Sequence, residues 1–159
     1  MNSATTYKTS TTSSAATEKL GAKLGSLLRG GEVLELASDL GGGKTTLIRG
    51  VLRGLGYAES VPSPTFTISR VYKVRDNLEF HHFDFYRLGA GDIVDMELAE
   101  VLGDSRSIVA VEWGQHSGAG LPQERVRIHL EPGKAEDERG IIVEALSSKL
   151  NYIIEGLKK

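Results

Sequence analysis

The chain has no cysteine. Disulfides, zinc–thiolate centres and a thiol nucleophile are therefore excluded, and the composition fits a reducing compartment. No apolar run approaches the ~20 residues that a membrane helix needs. The Ser/Thr-rich stretch Met1 to Ala16 lacks the apolar core of a secretory signal, so a cytoplasmic location is expected. Neither sign of charge dominates: 19 Lys and Arg face 21 Asp and Glu, a net charge of -2. A broadly basic nucleic-acid-binding surface is not expected from that balance. What remains is a 159-residue chain, 40% hydrophobic and 25% charged, with the composition and length of one globular domain, 1–159.

Glycine is the residue in excess, at 19, and six of these fall between Gly30 and Gly50. Around that cluster the hydrophobic pattern alternates between helix and strand. Residues 1–13 hold a Thr-rich stretch suited to an edge strand. Leu20, Leu24, Leu27 and Leu28 recur on one helical face from about Ser14 to Leu28. Glu32 to Ala37 reads as a strand, and Lys44 to Leu55 as a helix with Leu47, Val51, Leu52 and Leu55 inward. Pro62 and Pro64 forbid a helix between them. Thr65–Val74 and Leu78–Tyr86 read as paired strands around an Asp76-Asn77 turn. A short acidic helix is expected near Asp92–Leu102, and Ser107 to Glu112 is an apolar run typical of a buried strand. Arg125–Leu130 and Gly140–Ala145 are further strands joined by a charged turn. Residues 147–159 form a helical tail with Leu150, Ile153, Ile154 and Leu157 in register. Interleaved helices and strands indicate one α/β domain with a mixed sheet.

The segment Ser38-Asp39-Leu40-Gly41-Gly42-Gly43-Lys44-Thr45-Thr46 lies between a strand and a helix. Glycines there let consecutive backbone N–H groups turn toward an anion, and the helix start adds further donors and a positive dipole end. In a phosphate loop, Lys44 reaches the β- and γ-phosphates of a nucleotide and the Thr45 hydroxyl ligates Mg²⁺. Ser38 stands where the full pattern has glycine. Two carboxylates are candidate companions. Asp84 comes late in the strand-like run Glu79–Leu88, where it either meets the metal or faces solvent. Glu112 closes the apolar strand Ile108–Val111, as a Walker B acid does. Thr65, on the proline-stiffened loop, has the position of a γ-phosphate sensor, although plain turn chemistry explains it equally well. His81 and His82 are adjacent on a strand, so at most one of them points inward.

Four blocks in order carry a resemblance to a known family. The chain resembles the TsaE (YjeE) family, bacterial P-loop ATPases of tRNA threonylcarbamoyladenosine (t6A) synthesis. SDLGGGKTT at 38–46 is similar to the family's GDLGAGKTT, and VPSPTFT at 61–67 to its SPTF loop. HFDFYRL at 82–88 is similar to HFDLYRL, and VEWGQ at 111–115 with LP at 121–122 to its EW-plus-LP region. The likeness runs from about Thr17 to Ala145. It implies a three-layer α/β P-loop NTPase fold with a mixed central sheet. It also implies binding of ATP and Mg²⁺, and ATP hydrolysis that is slow alone and stimulated by the proteins TsaB and TsaD, with tRNA engaged indirectly through that complex. By motif, Gly41, Gly42, Gly43, Lys44, Thr45, Thr46, Thr65 and Trp113 would bind nucleotide. Thr45, Asp84 and Glu112 would hold the metal, and Lys44, Asp84 and Glu112 would serve catalysis. Ser38 and Gly42 depart from the family pattern. The residues leave open which of Asp84 and Glu112 orients water, and they offer Arg87 and Arg139 as charge-neutralising arginines. The alternatives to this reading are a small-molecule P-loop kinase and a nucleotide-dependent switch. The Asn/Thr-Lys-x-Asp signature of guanine selection is absent.

Overall fold

The computed structural model describes residues 4–38, 43–61, 69–85, 92–112 and 120–159, with the side chains of 92–95 excepted. The described strands are β1 (Thr5–Thr11), β2 (Val33–Ala37), β3 (Ser69–Lys73), β4 (Glu79–Asp84), β5 (Ser107–Glu112), β6 (Val126–Pro132) and β7 (Arg139–Ala145). The helices are α1 (Ser14–Leu27), α2 (Lys44–Gly54), α3 (Asp92–Val101) and α4 (Asn151–Leu157). All seven strands join one sheet in the order β1-β7-β6-β2-β5-β4-β3. The four inner strands β6, β2, β5 and β4 are mutually parallel, and β7, β1 and β3 run antiparallel to their neighbours. The sheet is therefore mixed, and the carboxyl ends of its parallel strands gather along one rim. Ligands of open α/β sheets bind along such a rim.

Helices cover both faces. One face buries Leu34, Leu36, Phe80, Ile108, Ile128 and Val143 under Leu24 of α1, Leu47 and Val51 of α2, and Ile153 and Ile154 of α4. On the other, Phe83, Phe85, Val109 and Val111 pack against Leu98 of α3. Each such side chain contributes about 2 kcal/mol when fully removed from water. α1 and α2 approach closely because the crossing is made of glycine. A Cβ on Gly21 or Gly25 would meet the carbonyl of Leu47 or Val51, and one on Gly50 or Gly54 would meet that of Glu18 or Ala22.

The β3–β4 turn carries Asp76 and Asn77 at φ 59 each, left-handed backbone that these two residue types tolerate. At the opposite end of the sheet from the phosphate loop, Glu32 is buried and its carboxylate accepts the backbone N–H groups of Arg29 and Gly30, each at 2.7 Å, and the Tyr152 hydroxyl. Burial, and then the Glu32 bond, raise the Tyr152 hydroxyl above its ordinary pKa. The Arg29 guanidinium lies 3.9 Å over the Tyr152 ring. These contacts tie the tail helix to the α1–β2 turn.

Several strands differ from the sequence expectation at their ends: β2 starts at Val33 and β4 runs from Glu79 to Asp84. β6 continues through Pro132, and β7 begins one residue earlier, at Arg139. The charged turn is thus a hairpin, closed by the Gly133 N–H donating to the Glu138 carbonyl at 2.7 Å. β3 is described from Ser69, and the earlier residues of the expected strand lie outside the described residues.

Candidate active site

β2 is flanked by β5 on one side and β6 on the other, both parallel to it. The chain leaves β2 at Ala37 and enters α2 at Lys44. Gly43 caps the helix at φ 94, a left-handed conformation that glycine adopts without strain. The first turn of α2 thus opens at the carboxyl rim of the sheet. Lys44 is buried, and its Nζ donates to the Ser38 carbonyl at 3.0 Å. The same Nζ lies 4.0 Å from Glu112 Oε1.

Glu112 ends β5 and is 3% exposed. The β-ladder pairs it with Leu36 on β2 and with Asp84 on β4. The two side chains therefore project from the same sheet face on neighbouring strands, whose backbones lie about 4.8 Å apart. They share that face with α2, so Lys44 and both acids form one constellation. Thr45 and Thr46 follow in the first turn of the same helix.

His82 is also buried, and its Nε2 lies 2.5 Å from Glu112 Oε2. With Glu112 ionised, His82 donates to Oε2 while Lys44 attends Oε1. Each oxygen of this buried carboxylate has a partner, as burial of a charge demands. Sequence reasoning did not find this role for His82. The signal was the spacing His82-x-Asp84, which puts both on one face of a strand. His81 lies on the other face, its ring stacked 6.5 Å from that of Phe83.

Beneath the loop on that other face, Glu35 of β2 accepts from Arg125 Nε at 3.0 Å and Arg127 Nε at 2.9 Å. Partial burial pushes the Glu35 carboxyl up, but the bonds from Arg127 and Arg125 outweigh it and hold it below the ordinary carboxylate value.

Among the described residues no three His, Cys, Asp or Glu are gathered as a metal-binding group. The available donors are the Thr45 hydroxyl and the Asp84 and Glu112 carboxylates. These are hard oxygens, suited to Mg²⁺ shared with phosphate oxygens, and they fit that ion. Gly41, Gly42, Thr65, Trp113 and Arg87 lie outside the described residues.

A strand–loop–helix with a buried lysine, and an acid at the end of the adjacent parallel strand, is the arrangement of a P-loop protein. The family model described as "Threonylcarbamoyl adenosine biosynthesis protein TsaE" matches residues 11–141. The chain belongs to the TsaE family. Among curated TsaE proteins, that of Streptomyces coelicolor is 37% identical over 137 residues, covering 82% of this chain and 91% of its own. That of Bacillus subtilis is 36% identical over 129 residues, covering 81% and 79%. Both carry the name tRNA threonylcarbamoyladenosine biosynthesis protein TsaE. The crystal structure of Bacillus subtilis YdiB superposes with a TM-score of 0.79 at 29% identity, covering 99% of this chain and 97% of that one. The TsaE match ends at Ile141, so α4 lies beyond it, yet α4 is packed into the same core. No helix among the described residues is long and apolar enough to cross a membrane.

Proposed function

We propose that this protein is an ATP-binding, ATP-hydrolysing accessory component of tRNA threonylcarbamoyladenosine synthesis. In this reading it is a single cytoplasmic domain that acts with TsaB and TsaD and meets tRNA only through that assembly. The observation that carries the reading is Lys44, held between the Ser38 carbonyl and Glu112 at the end of β2. A lysine so placed can exchange these contacts for the β- and γ-phosphates of an incoming nucleotide.

Thr45, Asp84 and Glu112 would hold Mg²⁺, which when bound offsets charge on the phosphates. Lys44 would leave Glu112 for the phosphates and offset the negative charge that spreads over the transferred group. One of the two acids, Asp84 or Glu112, would also orient the attacking water. His82 would keep Glu112 in place while Lys44 moves. The backbone N–H groups opening α2 would receive phosphate oxygens. No part of this set is a nucleophile, so catalysis would rest on positioning and electrostatics. That fits an enzyme that is slow by itself and completed by partners.

The test is ATP hydrolysis by the purified protein, alone and with TsaB and TsaD of the same source, with GTP as control. Slow turnover alone, marked stimulation by the pair and preference for ATP are expected. Lys44→Ala should abolish the stimulated rate, and normal turnover in that variant would overturn the reading. Phosphoryl transfer to a small acceptor without any partner protein would favour a kinase instead.

A further inference from the structure

We propose that β3 is a self-association edge, along which two copies of this chain join their sheets antiparallel about a two-fold axis at Val71. The inference starts from the sheet order and needs nothing from the functional reading. β1 and β3 are the outermost strands, so each has an edge with no strand beyond it among the described residues. An open edge is a template for another strand unless a charge guards it. A two-fold axis through an antiparallel pair sets the middle residue of the strand opposite itself. The middle of β1, Thr5–Thr11, is Lys8. Two copies joined there would bring Lys8 against Lys8, and like charges directly opposite are destabilising. The middle of β3, Ser69–Lys73, is Val71. Val71 is 54% exposed, and with Met96 it is a large apolar side chain left open to water among the described residues.

The backbone of β3 is set for this pairing. The Val74 N–H donates to the Leu78 carbonyl at 3.0 Å where β3 turns toward β4. In an antiparallel ladder, bonded pairs recur at every second residue. Tyr72 stands opposite Phe80 and Arg70 opposite His82, so these two turn their N–H and C=O groups to β4. Ser69, Val71 and Lys73 turn theirs outward. On the axis, each Val71 exchanges both its backbone bonds with Val71 of the second copy, and Ser69 does so with Lys73 of the second copy.

The side chains favour the same register. Ser69, Val71 and Lys73 share one sheet face. It is the face that α3 covers, because the Ser69 hydroxyl donates to Glu97 Oε2 of α3 at 3.1 Å. Glu97 therefore stands beside Ser69, at the end of the strand where Lys73 of the second copy arrives. Within one copy, Lys73 lies the length of β3 away from Ser69, about 13 Å. Its reachable carboxylate is Glu97 of the second copy. Symmetry repeats that ion pair, so the two Val71 side chains are flanked by one at each end. On the opposite face Arg70 comes beside Tyr72 of the second copy, and no like charges meet. Five residues of strand make an interface below the standard size. The dimer is therefore weak, with a dissociation constant on the order of 10–100 μM.

The experiment is sedimentation equilibrium of the full chain from low to high micromolar concentration. Wild type should pass from monomer to dimer. Lys73→Glu, or Glu97→Lys, sets like charges together and should raise the dissociation constant about tenfold or more. The double variant should restore it, and Lys8→Glu should leave it unchanged. These side chains are exposed, so the variants should keep the wild-type melting temperature. The absence of cysteine allows a second measurement. Bonded antiparallel pairs hold Cα atoms about 5.5 Å apart, within disulfide range. Diamide should therefore link Val71→Cys into a covalent dimer and leave Lys8→Cys monomeric. A chain that stays monomeric and is not linked through Val71→Cys would overturn the proposal. Association lost in Lys8→Glu, or charge swaps that weaken it without rescue in the double variant, would overturn it too. A monomeric chain whose binding to TsaB and TsaD is lost in Val71→Lys would make β3 a docking edge for another protein, and the proposal would fall.

Discussion

At the scale of single residues, the site is governed by how Glu112 is accommodated. A carboxylate that is 3% exposed must have each oxygen partnered, and here one faces Lys44 and the other His82. Replacing His82 by Ala leaves Oε2 buried and unpaired, at a cost of about 1–3 kcal/mol. We expect that variant to melt lower and to need more Mg²⁺ for half-maximal hydrolysis. Its affinity for ADP without metal should remain close to wild type. His82→Gln, which restores a donor, should recover part of the Mg²⁺ response; equal Mg²⁺ requirements in all three proteins would remove His82 from the site. The motif placed Lys44 and Thr45 from sequence alone, because a phosphate loop is local in the chain. The partnership of His82 with Glu112 joins residues thirty apart and depends on strand register, which no local pattern displays.

At the scale of elements, the crossing of α1 and α2 sets the angle at which the phosphate-binding helix leaves the sheet. That crossing is made by Gly21 and Gly25 on α1 against Gly50 and Gly54 on α2. Gly50→Ala puts a methyl group into the backbone carbonyl of Glu18, which cannot rotate away. Alanine favours the helix intrinsically, yet overpacking of this kind costs about 1–3 kcal/mol. We expect a lower melting temperature, by about 2–4 °C per kcal/mol for a chain of this size. Nucleotide affinity should fall as well, because the start of α2 is displaced. A melting point at or above wild type would show that the helices can separate freely. The helices were legible as elements from their leucine spacing. The leucine spacing says nothing of Gly21, Gly25, Gly50 and Gly54, and only the packing assigns these four to a helix crossing.

At the scale of the whole molecule, stability should depend on pH through the ion pairs that bind β2 to its neighbour. Glu35 has a folded-state pKa below its ordinary value of 4.5, because Arg127 and Arg125 favour the carboxylate more than burial disfavours it. The folded state therefore binds fewer protons than the unfolded chain at moderately acid pH. The contribution of Glu35 is complete above about 4.5 and disappears as the pH falls through the lower, folded value. Glu35→Gln should be less stable than wild type at pH 7 by about 1–2 kcal/mol. Denaturant titrations at several pH values should show that gap closing below pH about 4.5. A gap that is constant with pH would mean that the carboxylate charge has no part in it.

The sequence by itself determined the alternation of helices and strands, the phosphate loop and its lysine, and the two acids that could accompany it. These follow from hydrophobic period, from glycine and proline punctuation, and from short-range spacing, all of which act within a few residues. It also determined the family, because four motifs recur in order. The tertiary structure decided which side of β2 each strand takes. That order puts Glu112 and Asp84 on one flank of the loop and Arg139 on the other, and turns His82 rather than His81 toward the carboxylate. Strand order and register are settled by the burial of both sheet faces at once, an energy of the whole fold that no single segment carries.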